Sequence, residues 1–169
     1  MSYKPKYTFT LYKSTNMQNM LTSAVKLRTE VLVDKFKSLG ISEYNYTPDE
    51  AVVELDLELE LVEQLIEDYV IQIVKSNMTF LEYLKELKSA QENGKDLDYT
   101  NLRDLAHKNL GVARNLRIYS AEKLLDRIMK EDDLDDIFLC LEALFSCVTI
   151  LRPKEAFNTL RLIKVKNSF

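Results

Sequence analysis

The stretch TPDEAVVELDLELELVEQLIEDYVIQIVK, residues 47–75, decides the fold. Its apolar residues Val52, Leu55, Leu59, Val62, Ile66, Tyr69 and Ile73 recur at steps of three and four, the spacing that stacks side chains along one face of a helix. The opening reads as a helix start, with Thr47 at N-cap, Pro48 at N1 and Glu50 placed to close a capping box. Residues 53–61 also alternate strictly between apolar and acidic, which is the pattern of a half-buried strand. The cap signal, the spacing that continues far beyond residue 61, and the preference of Leu and Glu for helix favour one continuous helix from 48 to 74. Leu57, Leu61 and Leu65 then form a second apolar row beside the first. A helix greasy on more than half its circumference is expected to lie centrally, covered from two sides.

Working outward, the other segments give a mainly helical chain. Residues 7–12 alternate aromatic or aliphatic with polar residues and fit a short strand or an extended arm, with 1–15 as its widest extent. Residues 16–39 are expected to be helical, with Gly40 at the C-cap. Residues 41–46 should connect them. A capping box at Thr79 to Glu82 predicts a separate short helix ending near Asn93-Gly94. Thr100 should cap a helix running to 117, with Gly111 a weak point, and Ser120 should cap the next. Asp133, with Asp135 and Asp136 in the first turn, opens a helix that Pro153 ends, and 154–165 forms a last one. The sum is an all-α, irregular bundle of six to seven helices. The alternative is an α+β fold with a small antiparallel sheet built from 7–12 and 52–61. A single domain is expected, with 91–99 the one candidate linker. Only three Gly and three Pro occur in 169 residues, too few turn signals for a sandwich or barrel.

Charge is uneven around a net of −4. The first 39 residues are rich in Lys and Arg, every charged residue from 49 to 68 is acidic, and the tail from Arg152 is basic again. Such blocks suit solvated faces, contacts within the chain, or a surface for a partner. Cys140 and Cys147 share one apolar helical pattern, about 10 Å apart along the axis, too far for a disulfide. They read as buried thiols of a reduced, intracellular, soluble protein, cytoplasmic or nuclear. No apolar run is long enough to span a bilayer, and residues 1–11 carry no leader-like apolar core.

Scarcity excludes most catalytic constellations. His107 is the sole histidine, and glycines at 40, 94 and 111 cannot write a phosphate-cradling loop. Glu60, Glu63 and Glu67 stand at steps of three and four, as in some Mg²⁺-binding helices, but no matching acidic pair follows on a later helix. The acidic run 131–136 lacks the central Gly and closing Glu of a calcium loop and suits helix capping. No metal or cofactor is therefore expected. Arg103, His107, Arg114 and Arg117, with Lys108 and Arg127 near, fall on one face if 100–117 is a single helix. They suit an external anion or the chain's own acidic helix equally in kind. Tyr3, Tyr7, Tyr12, Tyr44 and Tyr46 cluster outside the strong helices, to anchor a partner or to pin the N-terminal arm.

The reading is a non-catalytic protein–protein interaction module, a subunit, adaptor or inhibitor whose partner is another chain, self or different. The row Val52, Leu55, Leu59, Val62, Ile66, Tyr69 and Ile73 would be its seam, in the homodimer case a coiled-coil-like one. The alternative is a nucleic-acid accessory protein using Arg103, His107, Arg114 and Arg117. No membrane partner is expected.

Overall fold

A computed structural model describes residues 7–41 and 45–167. Tyr3, Tyr44, Lys4, Lys6 and half of the expected 41–46 connection lie outside the described residues. Among those residues the chain forms α1 (Met17–Asp34), α2 (Asp49–Leu55), α3 (Leu59–Glu92), α4 (Thr100–Asn115), α5 (Tyr119–Lys130), α6 (Leu134–Leu151) and α7 (Pro153–Asn167). Short 3₁₀ turns stand at Thr10–Lys13 and Lys37–Leu39, and no strand occurs among the described residues. The all-α bundle is the architecture, and the small sheet of 7–12 with 52–61 is not formed.

The deepest element is α6, in which every residue from 140 to 149 is buried. It packs on α1, α3, α5 and α7, while α3 packs on α4, α6 and α7 as well as α2. Arg152 reaches Glu63, Ile163 lies by Ile71 and Asn167 by Met78, so α7 runs parallel to α3. One contiguous core joins all these faces.

The decisive stretch is not one rod. Asp56 takes a left-handed conformation at φ 52°, and the N–H groups of Asp56 and Leu57 both donate to Val52 O, ending α2. Asp is among the few non-glycine residues that tolerate this conformation. The break falls inside the alternating 53–61 segment. Alternation advances about 200° per apolar residue on a helix, so it scatters side chains around the axis instead of gathering them on one face. Interrupting the helix there lets Ala51, Val52 and Leu55 aim inward separately from Val62 and Ile66. Thr47 is not the cap either: Pro48 holds that position, without a side-chain cap bond.

Downstream, two expected helices are one. Thr79 sits mid-helix, because Ile73, Val74, Phe80, Leu84 and Leu87 continue the buried face of Val62, Ile66 and Tyr69 without interruption. A capping box is worth about 1 kcal/mol, less than burying that row. The helix closes where Asn93-Gly94 predicts, with Gly94 left-handed at φ 66°.

Caps elsewhere are mixed. Asn16 accepts from Asn19 N at 2.8 Å and Asp133 from Asp136 N at 3.0 Å, and Pro153 both stops α6 and starts α7. Helix α1 ends at Asp34, so Gly40, φ 68°, closes the second 3₁₀ turn instead. Thr100 is the first residue of α4 with Asp98 accepting its N–H, and α4 stops at Asn115. Helix α5 begins at Tyr119, one residue before the expected cap Ser120.

The N-terminal alternation is real but serves a helix. Tyr7, Phe9 and Leu11 are buried while Thr8 and Thr10 face outward. Phe9 stacks on Phe138 at 5.7 Å and meets Phe145 edge-on at 5.6 Å, and Tyr7 lies 5.0 Å from Phe138. Only residues 7–9 are extended; with the 3₁₀ turn that begins at Thr10 they form a strap across α6. Its polar side is fixed too: Thr10 donates to buried Glu142 through its N–H (2.9 Å) and its hydroxyl (2.7 Å).

Burial raises the pKa of Glu142, against the Thr10 hydrogen bonds, which lower it. A carboxyl whose folded pKa lies above its ordinary 4.5 takes up a proton on folding between the two values. The native state therefore loses stability as pH rises through that window. Glu142→Gln removes the titration, so subtracting its urea-unfolding free energies from those of the wild type should leave a difference that falls above pH 4.5. A difference curve that stays flat with pH would show that Glu142 titrates normally.

Candidate functional site

The seven-residue seam does not survive as a docking surface. Val62, Ile66, Tyr69 and Ile73 are at most 1% exposed and belong to this chain's own core. Val52 and Leu55 are half-buried against the same core, and only Leu59 faces solvent substantially. A second chain would have to unpack the monomer to reach them. Of the other row, Leu57 is half-buried against the core and the last two members are open. Leu61 (48% exposed) and Leu65 (36%) stand one turn apart on α3, with Leu59 (49%) at its start and Val53 (78%) on α2. These are four of the nine large apolar side chains exposed among the described residues, and all lie within residues 53–65.

Nine carboxylates and no base surround them in sequence from 49 to 68. Three are engaged from neighbouring elements: Glu54 pairs with Arg117, Glu50 accepts from Tyr119 Oη at 2.7 Å, and Glu63 lies 3.8 Å from Arg152. Asp68 accepts from Gln64 at 3.0 Å. Asp49, Asp56, Glu58 and Glu60 are exposed.

The arginine face disperses. Arg103 pairs with Asp132 at 2.7 Å and lies over the Tyr99 ring at 4.5 Å. Arg114 turns to Glu122 at 3.4 Å. Arg117 lies beyond the end of α4, left-handed at φ 59°, and reaches Glu54 on α2. His107 and Lys108 stay exposed on α4. Arg127 is held by Asp136 at 2.7 Å, over the Phe36 ring. Each arginine thus tacks one loop or helix to another: Arg117 leaves the row because α4 ends at Asn115, and Arg103 and Arg114, both within α4, turn to different acids.

Among the described residues no group of three His, Cys, Asp or Glu side chains is placed to hold a metal. Both thiols are buried on α6; burial pushes Cys140 up to about 12 and Cys147 up to about 11. A thiol reacts as its thiolate. Neither cysteine should therefore modify with Ellman's reagent at pH 8 in the native protein, and both should in denaturant. Rapid native labelling of either would show that α6 opens without unfolding. Cys147 borders a cavity of about 200 Å³ with Arg28, Tyr46, Ser120 and Arg152. A larger groove, about 640 Å³, lies between α3 and α7 over Ile71, Leu162 and Ile163, with Lys75, Glu155 and Lys166 at its edge.

The three described tyrosines of the cluster pin rather than project. Tyr7 donates to Asp135 at 2.6 Å, Tyr46 to Leu116 O at 2.7 Å, and Tyr12 lies under Lys164. Glu142 escapes sequence reasoning because it looks like any solvated helix acid; its only signal is a flanking run of apolar residues on both sides.

No protein-family model matches the chain, and neither a curated protein nor a solved structure matches it. No helix among the described residues is long and apolar enough to cross a membrane.

Proposed function

We propose that the chain is a non-catalytic protein–protein interaction module, a subunit, adaptor or inhibitor in a larger assembly. The observation that carries this reading is the exposed apolar pair Leu61 and Leu65, one turn apart on α3, with Val53 and Leu59 also exposed just before it in the chain. An exposed apolar stripe beside carboxylates is the kind of surface that a partner chain covers. The buried high-pKa thiols supply no nucleophile. The nucleic-acid alternative gains no support, since Arg103, Arg114 and Arg117 each face a carboxylate of the same chain.

The test is cross-linked affinity capture with the whole chain as bait in lysate of its source cells, paired with sedimentation of the purified protein. A stoichiometric partner, or a defined oligomer, is expected. A strict monomer that captures no stoichiometric partner would overturn the reading.

A further inference from the structure

We infer that the exposed corner formed by α2 and the first two turns of α3 is a docking surface for a basic amphipathic helix of another protein. The inference rests on the interaction reading above and names its surface and the chemistry of its partner. Leu61 and Leu65 are a helical i, i+4 pair, the smallest apolar stripe that seats a partner helix's own apolar row. Val53 and Leu59 are also exposed, one on each side of the α2–α3 break.

Charge decides the occupant. Among the described residues, Arg117 and Arg152 reach this corner from neighbouring elements and engage Glu54 and Glu63. Glu58 and Asp68 stand three residues before Leu61 and three after Leu65 on the same helix face, and Asp49, Asp56 and Glu60 are exposed close by in the chain, so the surface is strongly negative. A second copy docking face to face would set this surface against its own like charges, and an anionic lipid surface or nucleic acid would be repelled outright. A helix carrying Lys or Arg flanks around a leucine row meets both features together.

The probe is a fluorescein-labelled leucine–lysine model helix, titrated with the full-length chain and read by anisotropy at low salt. Two control peptides share its length, one with glutamate for lysine and one with serine for leucine. Binding to the leucine–lysine helix is expected to exceed both controls by at least about tenfold and to weaken as salt rises. Leu61→Ser/Leu65→Ser and, separately, Glu58→Lys/Asp68→Lys should each weaken it by about tenfold or more, with the helical circular-dichroism signal unchanged. All four positions are exposed or nearly so, so neither variant removes core packing.

Equal binding by the Leu61→Ser/Leu65→Ser chain, equal binding of the serine control, or no binding at low salt would overturn the inference. So would a dimer in sedimentation that the same leucine substitutions dissolve, since the occupant would then be a second copy. If the peptide test fails while affinity capture still yields a stoichiometric partner, this surface assignment falls and the interaction reading stands. If both fail, the two fall together.

Discussion

Phe9→Ala is expected to cost about 3–5 kcal/mol of folding stability, the range for emptying a fully buried aromatic site. Phe9 is 1% exposed and wedged between the Phe138 and Phe145 rings of α6. Its loss removes apolar burial and two ring contacts, and it loosens the neighbouring Thr10 clamp on Glu142. That carboxylate would then sit in an apolar site with fewer donors, which adds to the penalty. A domain of this size is commonly stable by about 5–15 kcal/mol, so the variant should unfold at much lower urea with an unchanged slope. A cost below about 1 kcal/mol would show that the strap merely rests on the surface, since a buried aromatic cannot be lost so cheaply.

Asn109→Leu is expected to destabilise by about 1–3 kcal/mol, although it makes the α3–α4 interface more apolar. The Asn109 amide donates to Ser76 Oγ at 3.3 Å and Leu105 O at 2.9 Å, and accepts from Gln72 Nε2 at 3.1 Å. Leucine abandons Ser76 and Gln72 without their partner inside the interface. Asn77 provides the internal comparison. It is fully buried on α3, next to Ser76, and among the described residues neither end of its amide finds a partner. Asn77→Leu removes a desolvated amide and should be neutral or stabilise by about 1 kcal/mol. Thermal and urea unfolding of the pair should thus move in opposite directions, or at least differ by more than about 1 kcal/mol. Equal losses would mean that cavity filling, not hydrogen bonding, governs both sites.

Both sites bear on how much can be read from sequence. An asparagine on an apolar helix face is visible as an anomaly in residues 69–77 and 105–110, but its partners are not. Asn109 is satisfied by side chains more than thirty positions away, and Asn77 is not satisfied, although the two look alike in the one-dimensional pattern. The candidate surface behaves similarly. Both apolar rows of the 47–75 stretch are evident from spacing. Which row is covered depends on where α4, α6 and α7 land, and they land on Val62, Ile66, Tyr69 and Ile73. The arginines show the same limit, since Arg103, Arg114 and Arg117 find their acids 29, 8 and 63 positions away.

Sequence alone determined the all-helical class, a helix beginning at Asn16, the Asp133 helix start, the Pro153 junction and the alternation of Tyr7 to Tyr12. Those features rest on local chemistry: periodicity, a side-chain acceptor within one turn, or a ring that removes an N–H. Tertiary structure decided the break at Asp56, the fusion of two expected helices into α3, the covered row and the destinations of the arginines. A cap or turn is worth about 1 kcal/mol, whereas each buried large apolar side chain contributes about 1.5–3 kcal/mol. Where a local signal and a continuous buried face disagree, as at Thr79, burial wins, and burial is a property of the assembled bundle.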